Sequence, residues 1–84
     1  MQYHISNGEQ TGYIEVTGDK LVCSLGKTVE TKTSYVQSIE KLEELGLNKC
    51  RAKITYYSLM ADTRTLEFII SNNELAGLKK TVGK

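Results

Sequence analysis

Apolar and polar residues alternate with a period of two through the first third of the chain. That period belongs to strands, whose successive side chains point to opposite faces. Asn7-Gly8 predicts a two-residue type I′ turn, which needs positive φ at both central positions, and Gly18-Asp19 predicts a second turn of two residues. Around Gly18-Asp19, Val16 pairs with Leu21 and Ile14 with Cys23. Around Asn7-Gly8, Ile5 pairs with Gln10 and Tyr3 with Gly12. The two turns, read separately, gather Tyr3, Ile5, Ile14, Val16, Leu21, Cys23 and Leu25 onto one face. His4, Tyr13, Glu15, Thr17, Lys20, Val22 and Ser24 fall on the other. Residues 26–33, GKTVETKT, are polar apart from Val29 and are open between strand and loop.

The period then changes. In SYVQSIEKLEELG (34–46), Tyr35, Ile39, Leu42 and Leu45 recur at helical spacing, and Ser34 with Gln37 fits a capping box. Gly46 suits a left-handed C-terminal cap, with apolar Leu47 after it. A helix is therefore expected here. Residues 50–70 return to alternation. Ser58 opposite Arg64 would pair Tyr56 with Leu66, Ile54 with Phe68 and Ala52 with Ile70, around a loop at 59–63. A closing helix is expected over 72–82: Ser71 and Glu74 form a capping-box pair, Ile70 and Leu75 occupy staple positions, and Leu75, Leu78 and Val82 form the apolar stripe. Gly77 inside it costs about 1 kcal/mol of helix propensity relative to Ala.

The element order expected is β-β-β-α-β-β-α. It predicts an α+β fold of two layers: an antiparallel sheet with both helices on its apolar face. An alternative rests on the segments GYIEVTGDKLVCSL and TLEFIISNNELAGLKK, with a Thr-x-Asp turn, later apolar hairpins and a closing helix. Across most of residues 12–82 this pattern resembles a pleckstrin-homology or GRAM-type half barrel with a C-terminal helix. The resemblance implies that SYVQSIEKLEELG is loop and strand, which its capping and 3.6-residue period oppose. It carries no functional residue over to this chain.

Composition narrows the class. Eighty-four residues allow one domain, 1–84, with 39% hydrophobic and 25% charged residues, an ordinary globular balance. Eleven Lys+Arg against ten Asp+Glu give a net charge of +1, which argues against a strongly basic nucleic-acid binder. No apolar run approaches the ~18 residues of a membrane span. MQYHISNGEQ has no charged region leading into an apolar stretch, so no signal peptide is expected. Two thiols, Cys23 and Cys50, read as reduced and cytoplasmic rather than as a disulfide framework.

Candidate chemistry is sparse. His4 is the one histidine, and no nucleophile or orienting carboxylate is identifiable beside it. One His and two Cys, without a Cys-x-x-Cys, are too few for a tetrahedral zinc site. Glu40, Glu43 and Glu44, with Lys41 among them, read as a charged solvent face. The glycines at 8, 12, 18 and 26 punctuate turns rather than forming a phosphate loop. No enzyme activity, metal or cofactor is expected.

Two surfaces stand out instead. If helices cover one sheet face, the other presents Tyr13, Val22, Arg51, Lys53, Tyr57 and Ile69. Aromatic and basic side chains on such a face suit a protein interface, where Tyr and Arg are enriched. They also suit a single-stranded nucleic acid. Leu59 and Met60 at the hairpin tip are a second contact candidate, and the sheet edges are a third, with a homodimer among their outcomes. The expected function is a small non-enzymatic interaction module, an adaptor, regulator or inhibitor that binds another protein. The alternative is single-stranded nucleic-acid binding through the open face.

Overall fold

The computed structural model describes residues 1–58 and 60–84. Among them are seven strands, β1 (Gln2–Ser6), β2 (Thr11–Thr17), β3 (Lys20–Leu25), β4 (Lys27–Lys32), β5 (Val36–Gly46), β6 (Lys49–Tyr57) and β7 (Thr63–Ser71). A short 3-10 turn at Thr33–Tyr35 precedes β5, and one α-helix, α1 (Asn72–Val82), closes the chain. The strands form a single antiparallel sheet in the order β4-β3-β2-β1-β7-β6-β5.

The sheet does not lie flat. Strands β4 and β6 stand five spacings apart in that order, which would separate them by roughly 24 Å in a flat sheet. Instead the Thr31 hydroxyl on β4 donates to the Tyr57 carbonyl on β6 at 3.1 Å. The sheet has rolled around its apolar face until its two arms meet. Inside lie the expected core residues Tyr3, Ile5, Ile14, Val16, Leu21 and Cys23 of the first arm. Ile39, Ala52, Ile54, Tyr56, Phe68 and Ile70 face them from the second. Helix α1 adds Leu75 and Leu78 to this core and packs against β1, β6 and β7.

The expected helix over 34–46 is the end of the 3-10 turn followed by strand β5, and the two-layer packing with both helices on one face falls with it. Three bulges in β5 explain why its period resembles a helix. The ladder steps from Val36↔Tyr56 to Ser38↔Thr55, from Lys41↔Ala52 to Glu43↔Arg51, and from Glu44↔Cys50 to Gly46↔Lys49. Gln37, Leu42 and Leu45 are therefore extra residues on the bulged strand. The first bulge puts both Val36 and Ile39 in the core at a spacing of three instead of two. Leu42 and Leu45 complete the apparent helical stripe, but both are exposed, at 44% and 41%. Residues 27–32, left open by the sequence, form β4 with Thr31 buried.

The β2–β3 hairpin keeps the expected register, with Ile14↔Cys23 and Val16↔Leu21. Two other hairpins are displaced by two residues, and both displacements have a side-chain cause. Ile5 meets Gly12 rather than Gln10. The Asn7 side-chain oxygen accepts the backbone N–H groups of Glu9 (3.0 Å) and Gln10 (2.7 Å), which holds a longer loop. Ile54 meets Leu66 rather than Phe68. There the Ser58 hydroxyl oxygen accepts the N–H groups of Met60 and Asp62, while the Ser58 N–H donates to the Asp62 carbonyl at 2.7 Å. A slip of two preserves the face of every side chain, so the core assignment survives both changes.

Helix α1 has the expected bounds. The Ser71 hydroxyl oxygen accepts the Glu74 N–H at 3.1 Å, and Gly83 ends the helix at φ 83°. The Glu74 carboxylate reaches across to accept the backbone N–H of His4 at 2.8 Å. The Glu74 carboxylate thus accepts from the capping Ser71 hydroxyl, at 3.2 Å, and from a β1 backbone donor.

Candidate functional site

Rolling the sheet makes the expected open face the outer surface of the molecule and disperses its residues. Tyr13 of β2 and Ile69 of β7 share a shallow hollow of about 620 Å³ with His4 of β1 and Lys49 of β6. This hollow straddles the seam where β1 meets β7 through one pair, Ser6↔Ile69. Arg51 stands opposite Ile69 in register, and its guanidinium lies 3.4 Å from the Glu43 carboxylate. Lys53 is flanked in register by Glu40 on one side and Glu67 on the other. Val22 lies between Glu15 and Glu30. Arg51 and Lys53 therefore both have acidic neighbours, whereas Lys49 stands opposite Gly46 and Ser71 in register.

Tyr57 belongs to a different place. It ends β6, is 45% exposed, and lines a hollow of about 270 Å³ with Tyr35, Ser58 and Ala61. Tyr35 comes from the 3-10 turn, and the Lys32 ammonium sits 5.6 Å from the centre of its ring, a cation–π distance. Met60, 81% exposed, lies on the same hairpin tip. The Ser58 hydroxyl shapes that tip, and Ala61 takes a left-handed φ of 67° within it. Leu59 lies outside the described residues. The sequence pattern hides this hollow because it assigns Tyr35 to a helical stripe.

A third concavity is a groove of about 410 Å³ between the β3–β4 hairpin and β7. Its apolar lining is Cys23, Leu25, Val29, Leu66 and Phe68, and Asn7, Gln10, Gly26, Lys27 and Glu67 complete it. Leu25, Val29 and Leu66 are only partly buried, so the core reaches the surface here. Periodicity places these residues inward but does not show that β3–β4 and β7 face one another across a gap.

The remaining chemical candidates are quiet. Cys23 and Cys50 are free and buried. Burial pushes the Cys23 thiol up to about 11, and it also raises Cys50, so neither is a ready thiolate at neutral pH. The Cys50 sulfur contacts the Ile70 carbonyl oxygen at 3.6 Å. Glu44 accepts from Lys41 and from Asn72, and these hydrogen bonds hold its carboxyl below the ordinary range. Among the described residues no group of three His, Cys, Asp or Glu side chains is placed to hold a metal ion, and no helix is long and apolar enough to cross a membrane. No protein-family model matches the chain, and no curated protein matches it significantly.

Proposed function

We propose that this chain is a small non-enzymatic interaction module that binds another protein, carried on a pleckstrin-homology or GRAM-like half barrel. The framework reading draws support from seven antiparallel strands rolled in the order β4-β3-β2-β1-β7-β6-β5 with a closing helix. It draws more from residues 33–46, which are turn and strand as that resemblance implies. Two free, buried cysteines fit a reducing compartment such as the cytoplasm.

The observation that carries the binding reading is the tip hollow. Tyr35 and Tyr57 flank it, and Met60 stands exposed on the loop above β6. Tyrosine and methionine are enriched at the centres of protein interfaces, and tyrosine buries a large area there at little entropic cost. The single-stranded nucleic-acid alternative draws less support, because Arg51 and Lys53 are set among Glu43, Glu40 and Glu67.

Affinity capture with the wild-type chain and with Tyr57→Asp/Met60→Asp tests the reading. The wild type should retain a protein partner after nuclease treatment. The double variant should lose that partner while keeping its circular dichroism spectrum and melting temperature. Equal capture by both chains sinks the tip as the binding surface. Salt-sensitive binding of an oligonucleotide, weakened by Lys53→Ala, would favour the nucleic-acid reading.

A further inference from the structure

Strand β7 is paired very differently on its two sides. Toward β6 it is matched throughout, from Tyr57↔Thr63 to Lys49↔Ser71. Toward β1 it has the single pair Ser6↔Ile69, because β1 ends at Ser6 and the chain turns away through Asn7 and Gly8. Thr63–Phe68 is therefore a free ladder side within the sheet. Backbone N–H and C=O groups of a strand point alternately to its two sides, so half of those on this stretch have no strand partner among the described residues.

The apolar groove lies along this free side. Leu66 and Phe68 form its β7 wall, and Leu25 and Val29 form the wall of the β3–β4 hairpin. A ligand that fits must offer apolar groups to the floor and hydrogen-bonding groups to β7. An acyl chain supplies only the first. A polynucleotide would set its phosphates against apolar carbon. An extended polypeptide supplies both, because its backbone continues the ladder and alternate side chains enter the groove. Charge adds a preference. Lys27 lines the β4 wall and joins none of the ion pairs among the described residues, whereas Glu67, which also lines the groove, stands opposite Lys53 of β6 in register.

We infer that this groove binds an extended peptide by strand addition to the free side of β7, with apolar residues at alternate positions and a carboxylate facing Lys27. This inference shares the protein-binding reading but uses a different surface from the tip. The free stretch is about 20 Å long, which suits a peptide of about six to eight residues.

The probe is a displayed library of random octapeptides selected on the full chain, followed by synthesis of an enriched peptide. Enriched sequences should alternate apolar residues and carry Asp or Glu. The bound peptide should slow hydrogen exchange at backbone amides of the 63–68 stretch at least tenfold. Leu66→Asp should weaken binding at least tenfold. Lys27→Glu, at an exposed site where the fold is safe, should weaken it several-fold, with recovery when the peptide's acidic residue is changed to Lys. Tyr57→Asp/Met60→Asp should leave peptide affinity unchanged, so failure of the tip reading and failure of this one are distinguishable. The inference is overturned by no enrichment, by a bound peptide that leaves the 63–68 amides unprotected, or by decanoate filling the groove where no peptide does.

Discussion

The two arms of the rolled sheet manage their backbones in opposite ways. From β2 through β4 each ladder residue meets one partner without a break, and the turns are as short as Gly18-Asp19 and Gly26. Strand β5 of the other arm is interrupted by three register shifts and ejects Leu42 and Leu45 to the surface. The regular arm depends on close backbone approach. A side chain at Gly12 would put its Cβ 1.8 Å from the Ser24 carbonyl oxygen. Strand β5 depends instead on two buried anchors, Val36 and Ile39, and is exposed beyond them. The irregularity has a use, because β5 is an outer strand of the sheet and bulges hinder edge-to-edge pairing between chains.

The most direct way to break this contrast is Gly12→Ala. It should disrupt the β2–β3 ladder and cost about 4 kcal/mol, read as a shift in the urea midpoint. Within β5, Ile39→Ala should cost about 3 kcal/mol, whereas Leu42→Ala should stay within about 0.5 kcal/mol. Equal losses at the two positions would mean that Leu42 is packed, as it would be on a helical stripe. Thr31→Val removes the hydroxyl that ties β4 to β6 and leaves the Tyr57 carbonyl without it, so about 1 to 2 kcal/mol should be lost. Loss below measurement error would show that this hydrogen bond contributes nothing to the closure of β4 on β6. Gly77→Ala is the smallest effect and has the opposite sign. The added methyl meets a Tyr3 ring carbon at 3.4 Å, a contact a small ring movement relieves, and thermal melting should show a gain below about 1 kcal/mol.

A pH series separates the arms in another way. The Cys23 thiol is held neutral by burial, with its pKa raised from 9.0 to about 11. The folded state therefore keeps a proton that the unfolded chain releases above pH 9, and stability should fall as pH rises from 9 toward 11. Cys23→Ala should flatten that alkaline slope. An unchanged slope would assign it to other buried groups, of which Cys50 and Tyr56 are also raised by burial.

Much of the regular arm was legible in the sequence because its determinants are local. Gly18-Asp19 sets the β2–β3 register directly, and Ser71 with Glu74 marks the helix start at the residue observed. The displaced hairpins were legible only as to face, since Asn7 and Ser58 each gather two backbone N–H groups and move the pairing by two. Strand β5 was misread because a bulge turns a period of two into a spacing of three, which is also a helical spacing. Tyr13, Arg51, Lys53 and Ile69 were placed correctly on the outward side, but sequence does not reveal that the sheet curves. Curvature separates Tyr57 from them and joins it to Tyr35. The groove along β7 was invisible for a similar reason, since it arises where β1 leaves a neighbour encoded about sixty residues later.

The bond from His4 to Glu74 has a consequence in time. Strand β1 is synthesised ahead of its partner, because the carboxylate that accepts its backbone donor is made 70 residues later. Tyr3 waits longer still, for the Thr81 hydroxyl 2.7 Å from its own. At roughly 5–20 residues per second, several seconds separate synthesis of the β1–β3 meander from that of β7 and α1, which complete the cover of its apolar face. During synthesis that interval, rather than any contact of the finished fold, is when a chaperone or a second nascent chain has access to Ile5, Ile14 and Leu21.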